Sequence, residues 1–152
     1  MARRDGRWVQ GVATLLGSVL LRSASLKAWT PLPAMQAIRF VVPAADDRPL
    51  AAVALVGVAT VWEAAIGLGL ILWGARRWIV LSTGATLVAF TGVLGVLLVS
   101  ADPPSCGCFG SLRLFESTRR EAIAGAARNG AMLWLCAHLW LDRVRPERAV
   151  AA

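Results

Sequence analysis

The segment from Trp78 to Ser100 contains no ionisable residue. It is long enough to cross a hydrocarbon core, which takes roughly 20 residues of helix. A soluble domain has no surface on which to put such a run. Leu50 to Trp73 reads the same way, interrupted by one charge, Glu63. Trp8 to Trp29 is mostly apolar, with Arg22 and Lys27 towards its far end. Glu121 to Leu141 is a fourth apolar stretch and contains Arg128, Asn129 and His138. None of these runs alternates with period two, so helices rather than a barrel are the expected spanning structure. The expectation is a single membrane domain over 1–152: an all-α four-helix bundle with spans at about 8–29, 50–73, 78–100 and 121–141.

Composition agrees with that reading. Charged residues make up 16% of the chain and the mean hydropathy is +0.63, too apolar for a soluble domain of this length. Tyr is absent, while most of the seven Trp fall near segment ends, where an interfacial belt would place them. The net charge of +7 does not argue for nucleic acid, because the arginines flank apolar runs instead of forming one face. A basic tail before an apolar run also fits a cleaved signal peptide with a site near Ser23-Ala24-Ser25, but Arg22 and Lys27 favour a retained helix.

The arginines set the expected orientation. Arg3, Arg4, Arg7, Arg76, Arg77, Arg143, Arg145 and Arg148 lie on one side of the bundle. On the other, Arg39, Arg48, Arg113, Arg119 and Arg120 are offset by Asp46, Asp47, Asp102, Glu116 and Glu121. The more basic side is expected to be cytoplasmic, so both termini point inward. Thr30 to Pro49 connects the first two spans and is punctuated by Pro31, Pro33, Pro43 and Pro49. Within it Met35, Ile38 and Val42 share a helical face, which predicts a short helix at the membrane surface.

The remaining loop, Ala101 to Arg120, carries Cys106 and Cys108 and is expected to face the oxidising side of a bacterial inner membrane. A Cys-x-Cys ring is strained, and strained, exposed disulfides are labile and oxidising. The spacing alone leaves redox exchange, a structural clasp and idle thiols open. Zinc is disfavoured, since two thiolates need two more ligands and the single His lies in the fourth span.

Ionisable residues inside spans must face the bundle interior or an interface. Glu63 lies mid-span, Arg128 about two turns below the loop, and Lys27 and Arg22 in the outer part of the first span. The simplest arrangement pairs Glu63 with Arg128, with Asn129 adding hydrogen bonds. The surplus positive charge could then hold a nearby thiol as thiolate, or bind the head of a quinone or an anionic partner group. The bland alternative is that Glu63 and Arg128 only set helix register while Lys27 snorkels to the surface. His138 and Cys136 read as structural or interfacial.

These residues carry a family resemblance. Ser25-Leu26-Lys27, Trp62-Glu63-Ala64-Ala65-Ile66-Gly67-Leu68, Cys106-Gly107-Cys108-Phe109-Gly110 and the downstream Arg128-Asn129 resemble the MauE/DoxX-like group of small bacterial membrane proteins, specifically its MauE (methylamine utilisation) branch. The match covers roughly residues 20 to 140. The resemblance implies a four-helix membrane protein associated with redox maturation of exported proteins. MauE is linked to production of the disulfide-rich small subunit of methylamine dehydrogenase, alongside a thioredoxin-like partner, and DoxX to quinone-linked oxidation of sulfur compounds. The leading expectation is therefore a thiol–disulfide redox protein. Cys106 and Cys108 would exchange disulfides with an extracytoplasmic thioredoxin-like protein or client thiol. Electrons would pass to or from a carrier such as quinone near Lys27, Glu63, Arg128 and Asn129, with no covalently bound cofactor. The alternative is a non-catalytic accessory or scaffold subunit of a membrane redox complex. A transporter is disfavoured, because the chain shows no internal repeat.

Overall fold

The computed structural model describes residues 2–45, 48–105 and 117–150. Cys106 and Cys108 lie outside the described residues. Among those described there are five α-helices and no strand: α1 (Ala2–Trp29), α2 (Leu32–Val41), α3 (Pro49–Trp73), α4 (Arg77–Val99) and α5 (Thr118–Val150), with a 3₁₀ turn at Pro43–Ala45. Three of them, over Gly6–Trp29, Pro49–Trp73 and Arg77–Val99, are long and apolar enough to cross a membrane. The chain is a multi-pass membrane protein. The expected fourth span lies inside α5, but that helix is not apolar enough to stand with the other three among the described residues.

The helices pack as two long antiparallel pairs, α1 with α3 and α4 with α5. Glycine sets the first pair. A Cβ on Gly17 would lie 2.5 Å from the Gly67 carbonyl oxygen, and one on Gly67 would lie 2.9 Å from the Gly17 carbonyl. The two backbones touch there because neither residue has a side chain, the usual device where both helices are apolar and lipid gives no hydrophobic drive to pair them. At one end of this pair the Gln10 amide donates to the Ile71 carbonyl at 3.4 Å. There α3 ends at Gly74, whose φ of 68° is open to glycine at little cost. The indole N–H of Trp62 donates to Thr86 Oγ1 at 3.0 Å and ties α3 to α4.

Two apolar clusters fill the interior. The larger, nearer the Gly74 turn, joins Leu16, Leu20, Ile66, Leu70, Ile79, Leu87, Met132 and Leu139. The smaller, at the α2 end, joins Ala37, Leu94, Leu97 and Ala122. Outward faces are apolar as lipid contact demands, with Val53, Val58, Val61, Leu68, Leu81 and Val88 exposed. Trp8, Trp29, Trp73 and Trp78 are exposed near helix ends.

The short connecting helix forms as expected, but on a different face. Ala34 and Ala37 are its buried residues, while Met35 and Ile38 are only half-buried and Val42 is exposed. Alanine lets α2 lie close against α3 and α4, and larger side chains on that face would hold it off. Helix α2 is thus a roof over the bundle as much as a surface helix.

Candidate functional site: a buried ion pair beneath α2

A buried long-range ion pair joins α1 to α3. Lys27 Nζ donates to both carboxylate oxygens of Glu63 at 2.6 Å, with the two side chains 12% and 2% exposed. Helix geometry explains how they meet. From the Gly17–Gly67 contact, Lys27 lies about 15 Å along α1 and Glu63 only about 6 Å along α3. Every Cα–Cβ bond leans towards its own helix N-terminus. Because α1 and α3 run in opposite directions, the lysine leans back and the glutamate leans forward, and their long side chains close the remaining gap.

This corrects two expectations. The partner of Glu63 is Lys27 and not Arg128, and Lys27 does not snorkel out of the bundle. The Arg128 guanidinium acts on the same carboxylate through space, and its Nη2 donates to Asn129 Oδ1 at 3.2 Å. A third correction concerns Arg22, which is exposed and adds no charge to the interior. Ser23, buried one turn before Lys27, turns its hydroxyl towards Glu63 without reaching full hydrogen-bond geometry. The ammonium of Lys27 also sits 4.3 Å from the centre of the Phe90 ring on α4, a cation–π contact.

Lys27, Arg128 and Asn129 open onto one cavity of about 110 Å³. Its wall is otherwise apolar, with Ala34, Ala37 and Ile38 of α2 above, Val56 and Ala59 of α3 beside, and Phe90, Val93 and Leu94 of α4 opposite. Glu63 is not on that wall. It stands behind Lys27 and acts through it. Of the four residues expected to hold a carrier, three line the cavity and the fourth orients one of them. Phe90 and the alanines of α2 carried no signal in the sequence, because an apolar residue in an apolar helix is unremarkable there.

The cysteine loop is described only at its flanks. Ser117 caps α5 by accepting the Arg120 N–H on its Oγ at 3.2 Å. Ser105, the neighbour of Cys106, donates from its hydroxyl to Glu121 Oε2 at 3.0 Å. Ser105 and Ser117, which flank residues 106–116, therefore both lie at the first turn of α5. From Glu121 to Arg128 is two turns on one face of the same helix, or about 10 Å.

The family model for methylamine utilisation protein MauE matches residues 7–142. The chain belongs to the MauE family. No curated protein and no solved structure matches it. For this MauE-family chain, membership and the apolar helices together fit a membrane protein of methylamine utilisation.

His138 and Cys136 stand apart from the site. His138 is exposed and packs edge-on against Trp134, with ring centres 4.2 Å apart and planes at 69°. Cys136 is buried in the larger apolar cluster. At the same far end Arg77 lies over the Trp140 ring at 4.9 Å.

Proposed function

We propose that this protein is a membrane-embedded thiol–disulfide redox protein that supports maturation of extracytoplasmic proteins. Cys106 and Cys108 are its exchanging pair, and the cavity beneath α2 is where a membrane carrier of the quinone class docks. The supporting observation is continuity along α5. The helix that holds the residue next to Cys106 at its first turn presents Arg128 and Asn129 to a donor-lined cavity two turns deeper. In this reading α5 is a fourth span, both termini are cytoplasmic, and the cysteine loop faces the outside of the bacterial inner membrane. The arginine distribution supports that orientation.

In the oxidising direction the chemistry balances as follows. A thiolate of a thioredoxin-like partner or client attacks the Cys106–Cys108 disulfide, and a mixed disulfide forms. The partner's second thiol resolves it, leaving the partner oxidised and both chain cysteines as thiols. The two electrons and two protons of those thiols then reduce a quinone to its quinol and restore the disulfide. Within the chain, Arg128 and Asn129 position the acceptor, and Glu63 holds Lys27 in place beside it.

Differential alkylation of native membranes with and without reductant, read by mass spectrometry, tests this. A fraction of Cys106 and Cys108 protected until reduction is expected. Thiols that are always free would refute the exchange. A Cys106→Ser, Cys108→Ser double variant that matures its clients normally would favour a scaffold or accessory role instead.

A further inference from the structure

Three polar side chains reach the wall of the cavity, and each brings hydrogen-bond donors. Lys27 carries an ammonium, Arg128 a guanidinium and Asn129 an amide. The amide orientation follows from its neighbour. An arginine can only donate, so the Asn129 atom facing Arg128 Nη2 is the carbonyl oxygen. The Asn129 Nδ2 group then meets no acceptor among the described residues, although Asn129 is only 1% exposed. A buried donor beside a cavity calls for an acceptor from outside the chain.

Charge narrows that acceptor. Among the described residues the site brings together two cations, Lys27 and Arg128, and one acid, Glu63. One positive charge is left over inside an apolar bundle, where an unbalanced charge is expensive. A neutral acceptor would satisfy the amide and leave that charge. An anionic oxygen answers both.

Shape says how the anion is carried. A cavity of about 150 Å³ takes a benzene ring, and this one is about 110 Å³, room for a carboxylate or a phosphate but not for a chain. Ala34 and Ala37 of α2 roof it. About one turn deeper, Trp62 donates to Thr86 and joins α3 to α4. Between roof and tie the wall is only half-buried, at Ala59 of α3 and at Phe90 and Val93 of α4. These are apolar residues on helices that span the bilayer, so a hydrocarbon tail can leave the cavity there.

We propose that the cavity beneath α2 binds the anionic head of a membrane amphiphile, with an oxygen accepting from Asn129 Nδ2 and the tail leaving between α3 and α4. A fatty-acid carboxylate and a phospholipid phosphate share this chemistry. The inference does not need the redox reading. A carrier docking in the same cavity would compete with the anion.

Equilibrium dialysis of the full-length protein in phosphatidylcholine nanodiscs, at alkaline pH where the acid is ionised and with empty nanodiscs as blank, tests the site. Dodecanoate should bind saturably, one per chain, and its methyl ester at least about tenfold more weakly. Dodecyl phosphate separates the two sources. Displacing dodecanoate at lower concentration than dodecanoate itself identifies a phospholipid head as the occupant, and at higher concentration a fatty acid. Asn129→Leu should weaken dodecanoate about tenfold, the loss of one buried hydrogen bond to a charged group. Arg128→Gln should bring acid and ester within about threefold of each other, because the surplus charge is gone. Ala37→Leu should abolish binding by filling the cavity. No saturable binding above the blank, equal binding of acid and ester, or stronger binding of dodecyltrimethylammonium would each overturn the proposal. The probe comparison uses the unaltered chain, so it stands even if a variant does not fold. Cys106→Ser, Cys108→Ser should leave dodecanoate binding unchanged, and thiol exchange is read separately by alkylation, so either reading can fail without the other.

Discussion

Replacing Lys27 by Met removes one partner of a pair in which Glu63 is 2% exposed. The carboxylate then keeps only the through-space attraction of Arg128 and the nearby Ser23 hydroxyl. Breaking a buried pair from one side typically costs about 3–5 kcal/mol, mostly the penalty of the stranded charge. Membrane proteins sit at the lower end, because the unfolded reference state also finds partners. Arg128 lowers the cost further, so about 2–3 kcal/mol is expected for Lys27→Met. Adding Glu63→Gln removes the stranded charge and should recover more than half of that loss. The four proteins form a double-mutant cycle, measured by denaturant unfolding in mixed micelles. A coupling energy of about 1–2 kcal/mol is expected, since two contacting charges do not behave additively. Strict additivity, with the double variant as unstable as the sum of its singles, would refute the claim that Lys27 and Glu63 neutralise each other in the folded protein.

Gly17→Ala should lower the melting temperature sharply and cost about 2–3 kcal/mol, because its Cβ would stand 2.5 Å from a backbone oxygen that cannot swing away. Gly57→Ala is the control. Nothing lies within 4 Å of its Cβ, so stability should stay within about 0.5 kcal/mol. Cys136→Ser should destabilise by about 1–2 kcal/mol through a buried hydroxyl in an apolar cluster. It should leave the protected fraction of Cys106 and Cys108 unaltered, since from Glu121 to Cys136 is about 22 Å of helix. A change in that fraction would show that the third cysteine takes part in exchange.

Much of the fold was legible because lipid imposes one rule on every residue. Long apolar runs with few charges become helices long enough to span, and three of them do so between Gly6 and Val99. The proline-marked connection became α2 for the local reason that Pro31 and Pro33 stand at its start, where a missing N–H costs nothing. Which face α2 buries was not legible. Periodicity picked out Met35 and Ile38, the larger side chains, whereas close packing picked Ala34 and Ala37. Small residues give no hydropathy signal, yet they decide how near two helices come.

The same distinction governs the site. The sequence shows that Glu63, Lys27 and Arg128 must face inward, because each is expensive in lipid. It does not show which cation meets the acid. Arg128 looked the better partner on depth alone, counted from the helix ends. What decides the pairing is the Gly17–Gly67 contact, which sets the offset between α1 and α3, together with the opposite lean of side chains on antiparallel helices. Lys27 closes on both oxygens of Glu63, while Arg128 acts on that carboxylate through space and donates to Asn129 Oδ1. A glycine contact remote from the cavity thereby sets which cation meets the acid. Gly17→Ala should therefore also weaken the Lys27–Glu63 coupling energy in the double-mutant cycle, because a Cβ 2.5 Å from the Gly67 carbonyl shifts the offset between α1 and α3; an unchanged coupling energy would refute the link between the glycine contact and the pairing.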